Sequence, residues 1–136
     1  MTQTAAIRAC LAPGLTIAVV GLSPKSHRDS YRVSQYLQAH GYRIVPVNPS
    51  ASEVLGERCF ASLSEAAAHT KIDVVNCFRN AKDIPPIADE AIAIGAKGLW
   101  MQLGIQNDAA ADKARAAGLH VVQDRCIKVE HAMLTR

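Results

Sequence analysis

Several features that would assign a function at once are missing from this chain of 136 residues. No apolar run approaches the roughly 18 residues that cross a bilayer, and aromatic residues make up only 4% of the sequence. The segment 1–13 has no charged start followed by a long apolar stretch, so no signal peptide is indicated. We therefore expect a cytoplasmic protein with no membrane association, whose core is filled mainly by Ala, Val, Ile and Leu.

Metal and nucleic-acid signatures are also missing. The four cysteines, Cys10, Cys59, Cys77 and Cys126, have no CxxC spacing, which indicates reduced thiols rather than disulfides or a zinc site. The net charge of +3 is too small for the basic stripe that is typical of a nucleic-acid-binding protein. We expect neither a metal nor a nucleic-acid partner, and the basic groups remain available to one anionic small molecule.

Short apolar segments alternate with helical patterns along the chain. Strands are predicted at residues 16–21, 43–47, 72–77, 98–102 and 120–123. Such alternation predicts an α/β protein with a Rossmann-like, doubly wound sheet of about five parallel strands in the order 3-2-1-4-5 and helices on both faces. We expect one domain over residues 1–136, with 1–13 as an irregular or helical extension.

Ligands of such sheets lie at the carboxyl ends of the strands, where the strand order reverses. This rule places the loops after Gly21, Val47, Cys77 and Gln102 around one site. The sequence therefore predicts a binding site assembled from four separate stretches of the chain.

The loop after the first strand is the most informative of the four. Gly21 ends an apolar run, the polar segment SPKSHR follows at 23–28, and a helix is predicted over 30–40. A helix N-terminus presents unpaired N–H groups and a partial positive charge. Lys25 and Arg28 add full positive charges beside it. This order of elements predicts a site for a phosphorylated ligand.

Two nucleotide-binding patterns are incomplete or absent. The loop has only Gly21 where GxGxxG would place three glycines, and Val47-Asn48-Pro49 offers no carboxylate for a ribose hydroxyl. The absence of GxxxxGK[ST] excludes a P-loop. NAD(P) or another nucleotide stays an alternative ligand on the same predicted fold.

Separate motifs in order along the chain resemble the small single-domain CoA-binding proteins. They are GLSPK at 21–25, HRDSYRV at 27–33, VPVNP at 45–49, FRN at 78–80, LWMQLG at 99–104 and DRCIKVEH at 124–131. The family is similar to the N-terminal CoA-binding domain of the succinyl-CoA synthetase α subunit. The resemblance does not extend to that enzyme's later domain with its phosphorylated histidine, so it implies binding of CoA or an acyl-CoA and no ligase chemistry.

The resemblance also implies which parts of CoA each loop contacts. The resemblance implies that the CoA phosphates contact Ser23, Pro24, Lys25 and Ser26, and that the adenosine end lies beside Val47, Asn48 and Pro49. It also implies that Phe78 and Arg79 complete the nucleotide pocket, and that Gln102 and Leu103 line the path of the pantetheine arm.

Cys126 is the candidate for covalent catalysis. The segment Asp124-Arg125-Cys126 aligns with a cysteine-bearing turn of the synthetase domain, and His131 is the candidate base for an enzyme that acts on acyl-CoA thioesters. A structural thiol is the interpretation that we favour, because the sequence identifies no oxyanion donors and no orienting acid. We expect binding without catalysis; whether the protein is a monomer or a homodimer, and whether it has a protein partner, stays open.

Overall fold

The computed structural model describes residues 3–135. In chain order the elements are α1 (Thr4–Cys10), β1 (Thr16–Val20), α2 (Asp29–Ala39), β2 (Arg43–Val47), β3 (Glu53–Val54), β4 (Glu57–Arg58), α3 (Leu63–His69), β5 (Val74–Cys77), α4 (Ile84–Ala93), β6 (Gly98–Met101), α5 (Asp108–Ala116), β7 (His120–Val122) and α6 (Ile127–Leu134). No helix within the described residues has the length and hydropathy that a membrane span requires.

Five of the seven strands within residues 3–135 form one parallel sheet in the order β2-β1-β5-β6-β7, and β3 and β4 form a small antiparallel hairpin. The predicted α/β class, with five parallel strands and helices on both faces, is confirmed. The expected extension at 1–13 contains a helix, α1, which packs against β6 and β7. The sheet thus provides the carboxyl edge on which the site was expected.

One residue outside the five strands extends the sheet beyond β2, so that the order in chain sequence is 3-2-1-4-5-6, which contains the predicted order 3-2-1-4-5. Phe60 forms a parallel bridge to Val47 on the outer side of β2. Its N–H donates to the Pro46 carbonyl at 3.0 Å, and its carbonyl accepts from the Asn48 N–H at 2.9 Å. Phe60 therefore stands beside β2, where the third strand of a Rossmann-like sheet would lie. The segment predicted as the third strand, residues 72–77, takes the fourth position, beside β1.

Pro46 gives the physical reason for this placement. Proline has no N–H to donate, so it is tolerated where a strand has no full partner on that side. β2 accepts only the single bridge from Phe60 on its outer side. β5, by contrast, is buried at all four positions, which is typical of a central strand with both faces covered.

The two faces of the sheet carry separate apolar clusters. One face packs against α3, α4 and α5 through alternate strand residues that include Ala18, Val20, Val75, Cys77, Leu99 and Met101. The other packs against α1, α2 and α6 through Ile17, Val19, Val74, Trp100 and Val122. Side chains in a strand alternate between faces. The residues that follow the last residue of β1, β5 and β6 are therefore on the face covered by α2 and α6, where they form a row across the end of the sheet.

That terminal row contains Gly21, Phe78 and Gln102. Hydrogen bonds continue the ladder to it: the Phe78 N–H donates to Val20 at 2.9 Å, and the Gln102 N–H donates to Cys77 at 3.4 Å. The row therefore brings three of the four predicted loops together at the carboxyl edge of the sheet, under α2 and α6.

Candidate functional site

Gly21 sets the direction in which the chain leaves β1. Its φ is +89°, and a β-carbon there would lie 2.5 Å from the carbonyl oxygen of Phe78. The Gly21 N–H donates to the Val47 carbonyl at 2.8 Å. Only glycine combines this positive φ with so close a backbone approach. The first loop is consequently held against the ends of both neighbouring strands.

Hydrogen bonds within the chain order the loop at 22–28. The buried Ser30 hydroxyl accepts from the Ser23 N–H at 3.0 Å, and the Ser23 hydroxyl accepts from the Lys25 N–H at 3.1 Å. The Arg28 N–H donates to the Lys25 carbonyl at 3.1 Å. The loop is therefore formed before any ligand arrives, which lowers the entropic cost of binding.

A cavity of about 430 Å³ lies beside this loop, and we call it the cradle. Its lining consists of Gly21, Ser23, Lys25, Arg28, Asp29, Ser30 and Phe78. α2 begins here, and the preceding Arg28 makes no side-chain capping bond. The partial positive charge of the helix N-terminus is thus added to the positive charges of Lys25 and Arg28. The one negatively charged side chain in the lining of the cradle is Asp29.

A second cavity of about 630 Å³, the groove, continues from the cradle. Asp29 and Phe78 line both. The groove has an apolar part formed by Val33, Phe78, Leu103, Ile105 and Val129, and polar groups that include Arg32, Arg79, Asn80, Gln102, Cys126 and Lys128. Both volumes fall in the range of about 300–1,000 Å³ that is common for small-molecule sites.

Within residues 3–135, no carboxylate forms an ion pair with Lys25, Arg28 or Arg79 of this site. The ion pairs formed within residues 3–135 join Lys113 to Asp89 and Arg115 to Asp112. Lys25, Arg28 and Arg79 take part in neither. Their positive charges are therefore available to an anionic ligand.

The loop after β2 supports the site without lining either cavity. Val47 is buried in the core. The Asn48 amide donates to the Leu22 carbonyl at 3.0 Å, and its oxygen accepts from the Ser50 N–H at 2.9 Å. Pro49 is exposed. The structure therefore places Asn48 as a brace for the first loop, and the side chain of Val47 does not face the cleft.

Two further predicted contacts, Pro24 and Ser26, are exposed residues of the first loop. Neither lines the cradle as Ser23 and Lys25 do. Any contact that they make with a ligand would thus be on the outer side of the loop.

Gln102 connects the terminal row of the sheet to α6. The residue is buried, and its Oε1 accepts from the Ile127 N–H at 3.0 Å. It satisfies one of the orphan donors at the start of that helix. Because Gln102 also lines the groove, its Nε2 is the group left to donate to a ligand. The neighbouring Leu103 is 70% exposed at the groove.

The structure does not bring Cys126 and His131 together as a nucleophile and its base. Cys126 is half-buried just before α6 and lines the groove. His131 is buried, and its Nδ1 lies 2.8 Å from the Tyr36 hydroxyl. Its ring also contacts His40 and Tyr42 edge-on. Burial, and then the nearby His40, lower the pKa of His131.

The other thiols are structural. Burial raises the pKa of Cys10 and of Cys77 to about 12, and burial also raises the pKa of Cys59. No cluster of three or more His, Cys, Asp or Glu side chains within residues 3–135 is placed to hold a metal ion.

Several residues of the site were not predicted from the sequence. Lys128 and Val129 reach the groove because α6 packs beside α2, and no local pattern in residues 127–134 indicates this. Ser30 carried a signal, since a serine in the first turn of a helix beside an anion loop has a hydroxyl to offer the preceding backbone.

A parallel α/β sheet with a cationic cradle at its first strand–helix loop defines a Rossmann-like ligand-binding domain. Residues 15–132 match the family model described as the CoA binding domain. The chain belongs to this CoA-binding domain family.

Similar proteins cover almost the whole chain. The YneT protein of Bacillus subtilis (strain 168) is 40% identical over 129 residues, which are 95% of this chain and 94% of the relative. A solved structure from Pyrococcus horikoshii OT3 is 38% identical with a TM-score of 0.90, covering 100% of this chain and 94% of that one.

A larger protein contains a similar fold. The dinucleotide-forming acetyl-coenzyme A synthetase 1 of Ca. Korarchaeum cryptofilum superposes on 85% of this chain with a TM-score of 0.71, over 27% of its own length. At 20% identity the likeness concerns the fold alone.

Proposed function

We propose that this protein, as one domain, binds coenzyme A with its diphosphate in the cradle and its pantetheine arm along the groove, and that it has no catalytic activity of its own. The observation that carries the proposal is a preformed, cationic cavity at the N-terminus of α2. Membership of the CoA-binding domain family supports the same ligand.

The cradle offers the donors that a diphosphate requires. Lys25 and Arg28 supply charge-assisted hydrogen bonds, and the start of α2 supplies backbone N–H groups. The Ser23 hydroxyl already accepts from the Lys25 N–H, so its own hydrogen is free to be donated to a phosphate oxygen. We propose that Asp29, the one carboxylate here, faces a hydroxyl or amide of the ligand rather than a phosphate.

The groove suits the remainder of the molecule. A ligand anchored in the cradle passes over Phe78, which lines both cavities. Pantetheine carries two amides, and Gln102 Nε2 is positioned at the groove as a donor to an amide carbonyl. We assign Arg79 to the phosphates, and we assign Pro49 and Asn48, which braces the first loop, to the adenosine end.

Calorimetric titration with CoA tests the proposal. Lys25→Ala is expected to weaken CoA binding about tenfold or more, because a charge-assisted hydrogen bond contributes about 1.5–3 kcal/mol. Lys71→Ala is the matched control, since it removes the same charge from an exposed residue at the opposite, amino-terminal edge of the sheet. Absence of binding at millimolar CoA, or equal affinities of the two variants, would contradict the proposed site.

The choice of nucleotide is tested by competition. CoA should be displaced by dephospho-CoA and by neither pantetheine nor NAD, because pantetheine lacks the diphosphate and the loop lacks the glycines that NAD requires. Displacement by NAD at comparable concentration would favour the alternative of a dinucleotide-binding protein.

The absence of catalysis is tested with acyl-CoA thioesters and a colorimetric assay for released thiol. We expect no turnover above the rate in buffer. If turnover were found and Cys126→Ser removed it, the alternative of a thioester-handling enzyme would replace our proposal.

A further inference from the structure

Three large apolar side chains within residues 3–135 are exposed: Leu103 at 70%, Met133 at 56% and Val129 at 52%. Two of them, Leu103 and Val129, line the groove, together with the more buried Val33 and Ile105. Apolar side chains that are exposed around one cavity are typical of a ligand-binding surface. This apolar end of the groove is left uncovered by the described chain.

Hydrogen bonds hold the two exposed walls in place. Leu103 follows β6, where the Gly104 N–H donates to Asp124 Oδ1 at 2.7 Å. Val129 lies in the first turn of α6, and the start of that helix is fixed by Gln102 through the Ile127 N–H. Both exposed side chains therefore stand next to backbone that is held by a hydrogen bond.

Two of the three cations that line the groove have side chains directed elsewhere, and the third, Arg32, is an exposed residue of α2. Arg79 is on the cradle side, with its Nε 3.3 Å from the position of a β-carbon on Gly21. Lys128 is directed at α2, with its Nζ 5.4 Å from the centre of the Tyr36 ring. This end presents the apolar side chains of Leu103, Ile105 and Val129. Its chemistry suits a hydrocarbon and not a charged group.

The order of the two cavities determines which part of the ligand arrives there. A diphosphate in the cradle directs the pantetheine arm past Phe78 toward Gln102. Any group joined to the sulfur then meets Leu103 and Val129. We infer that the groove takes an apolar acyl chain, so that the preferred ligand is an acyl-CoA with a hydrocarbon chain rather than free CoA. This inference rests on the proposed CoA function.

A titration series with CoA, acetyl-CoA, butyryl-CoA, hexanoyl-CoA and octanoyl-CoA tests the inference. The affinity is expected to rise with chain length, by up to about fourfold for each methylene that is fully buried. Equal affinity for free CoA and octanoyl-CoA would overturn the inference and leave the CoA site intact. If no member of the series bound, the proposed function itself would fall, and this inference with it.

Two variants locate the chain on the protein. The preference for the acyl chain is measured by the dissociation constant of CoA divided by that of octanoyl-CoA. Leu103→Ser and Val129→Ser should each reduce this ratio at least threefold. Met133→Ser is the matched control, because Met133 is equally exposed on the same helix and does not line the groove; its ratio should equal that of the wild type. An unchanged ratio in both groove variants, or an equal fall in the control, would show that the chain binds elsewhere. All three residues are exposed, so folding should survive.

Discussion

A β-carbon on Gly21 would lie 2.5 Å from the carbonyl oxygen of Phe78. This closeness joins the first loop of the cradle to the residue that lines both cavities. The close approach of these two residues is possible because glycine has no β-carbon. Substitution of Gly21 by alanine therefore tests how much the site depends on this contact.

Gly21→Ala should destabilise the protein through two effects. A positive φ costs an L-residue about 1–2 kcal/mol, and the contact with the Phe78 carbonyl adds about 1–3 kcal/mol because backbone must move. Gly41→Ala is the control: its φ is +90°, and no heavy atom lies within 4 Å of the added carbon. Urea denaturation should show the larger loss for Gly21→Ala. Equal losses would mean that the close approach is not costly.

The two buried serines of α2 should respond in opposite ways to alanine. Ser30 accepts from the Ser23 N–H, so Ser30→Ala should cost about 0.5–1.5 kcal/mol and weaken CoA binding by loosening the loop. Among residues 3–135 the Ser34 hydroxyl has no hydrogen-bond partner, and Ser34→Ala should be neutral or stabilising. Chemical denaturation of both variants checks this, and a larger loss for Ser34→Ala would contradict it.

Removing the side-chain acceptor at the start of α6 should loosen one wall of the groove. Gln102→Leu leaves the buried Ile127 N–H without its partner, at a cost of about 1–3 kcal/mol. Gln106→Leu, at an exposed position, should change stability by no more than about 0.5 kcal/mol. Thermal unfolding gives the comparison, and hydrogen exchange should show faster opening of residues 127–130 in the first variant only.

Stability should fall in mild acid because of His131. Its folded pKa is lowered from 6.5, first by burial and then by His40, so below about pH 6.5 the unfolded chain binds more protons than the folded one. The stability that neutral His131 contributes is therefore fully present above the pKa of the unfolded chain. It is lost as the pH falls through 6.5 toward the pKa of His131 in the folded protein. The groups that face this imidazole are Tyr36, His40 and Tyr42, with Lys128 beside Tyr36.

Urea midpoints at pH 7.5 and 5.5 measure this loss. His131→Gln should reduce the difference between the two midpoints, whereas His120→Gln, at an exposed strand residue, should leave it unchanged. A midpoint difference that is the same in wild type and His131→Gln would show that other groups govern the acid response.

Elements with a clear local pattern were predictable. The strand predicted at 43–47 is confirmed. Asparagine is a favoured helix cap, and the Asn107 side chain caps α5 by accepting from the Ala110 N–H at 3.0 Å. Asp83 stands directly before α4, where an aspartate favours a cap, but its side chain makes no capping bond. A turn of 3-10 helix over Ala81–Asp83 directly precedes α4. Asp83 therefore has a helical rather than an extended backbone conformation, unlike a typical N-cap residue.

The third sheet position was not predictable in the same way. Phe60 forms one bridge, which is too short to give a period-two pattern. The clue was Pro46, whose missing N–H indicates a strand without a full outer neighbour.

The sequence by itself determined the parallel α/β fold and the basic loop at the first strand–helix junction, because hydrophobic period, glycine and charge are local properties that act over a few residues. Only the tertiary structure decided which distant segments meet that loop. α6 lines the groove because it packs beside α2, and Asn48 braces the loop because β2 lies next to β1. These neighbours are set by the burial of whole faces, a requirement of the complete chain that no short stretch of sequence carries.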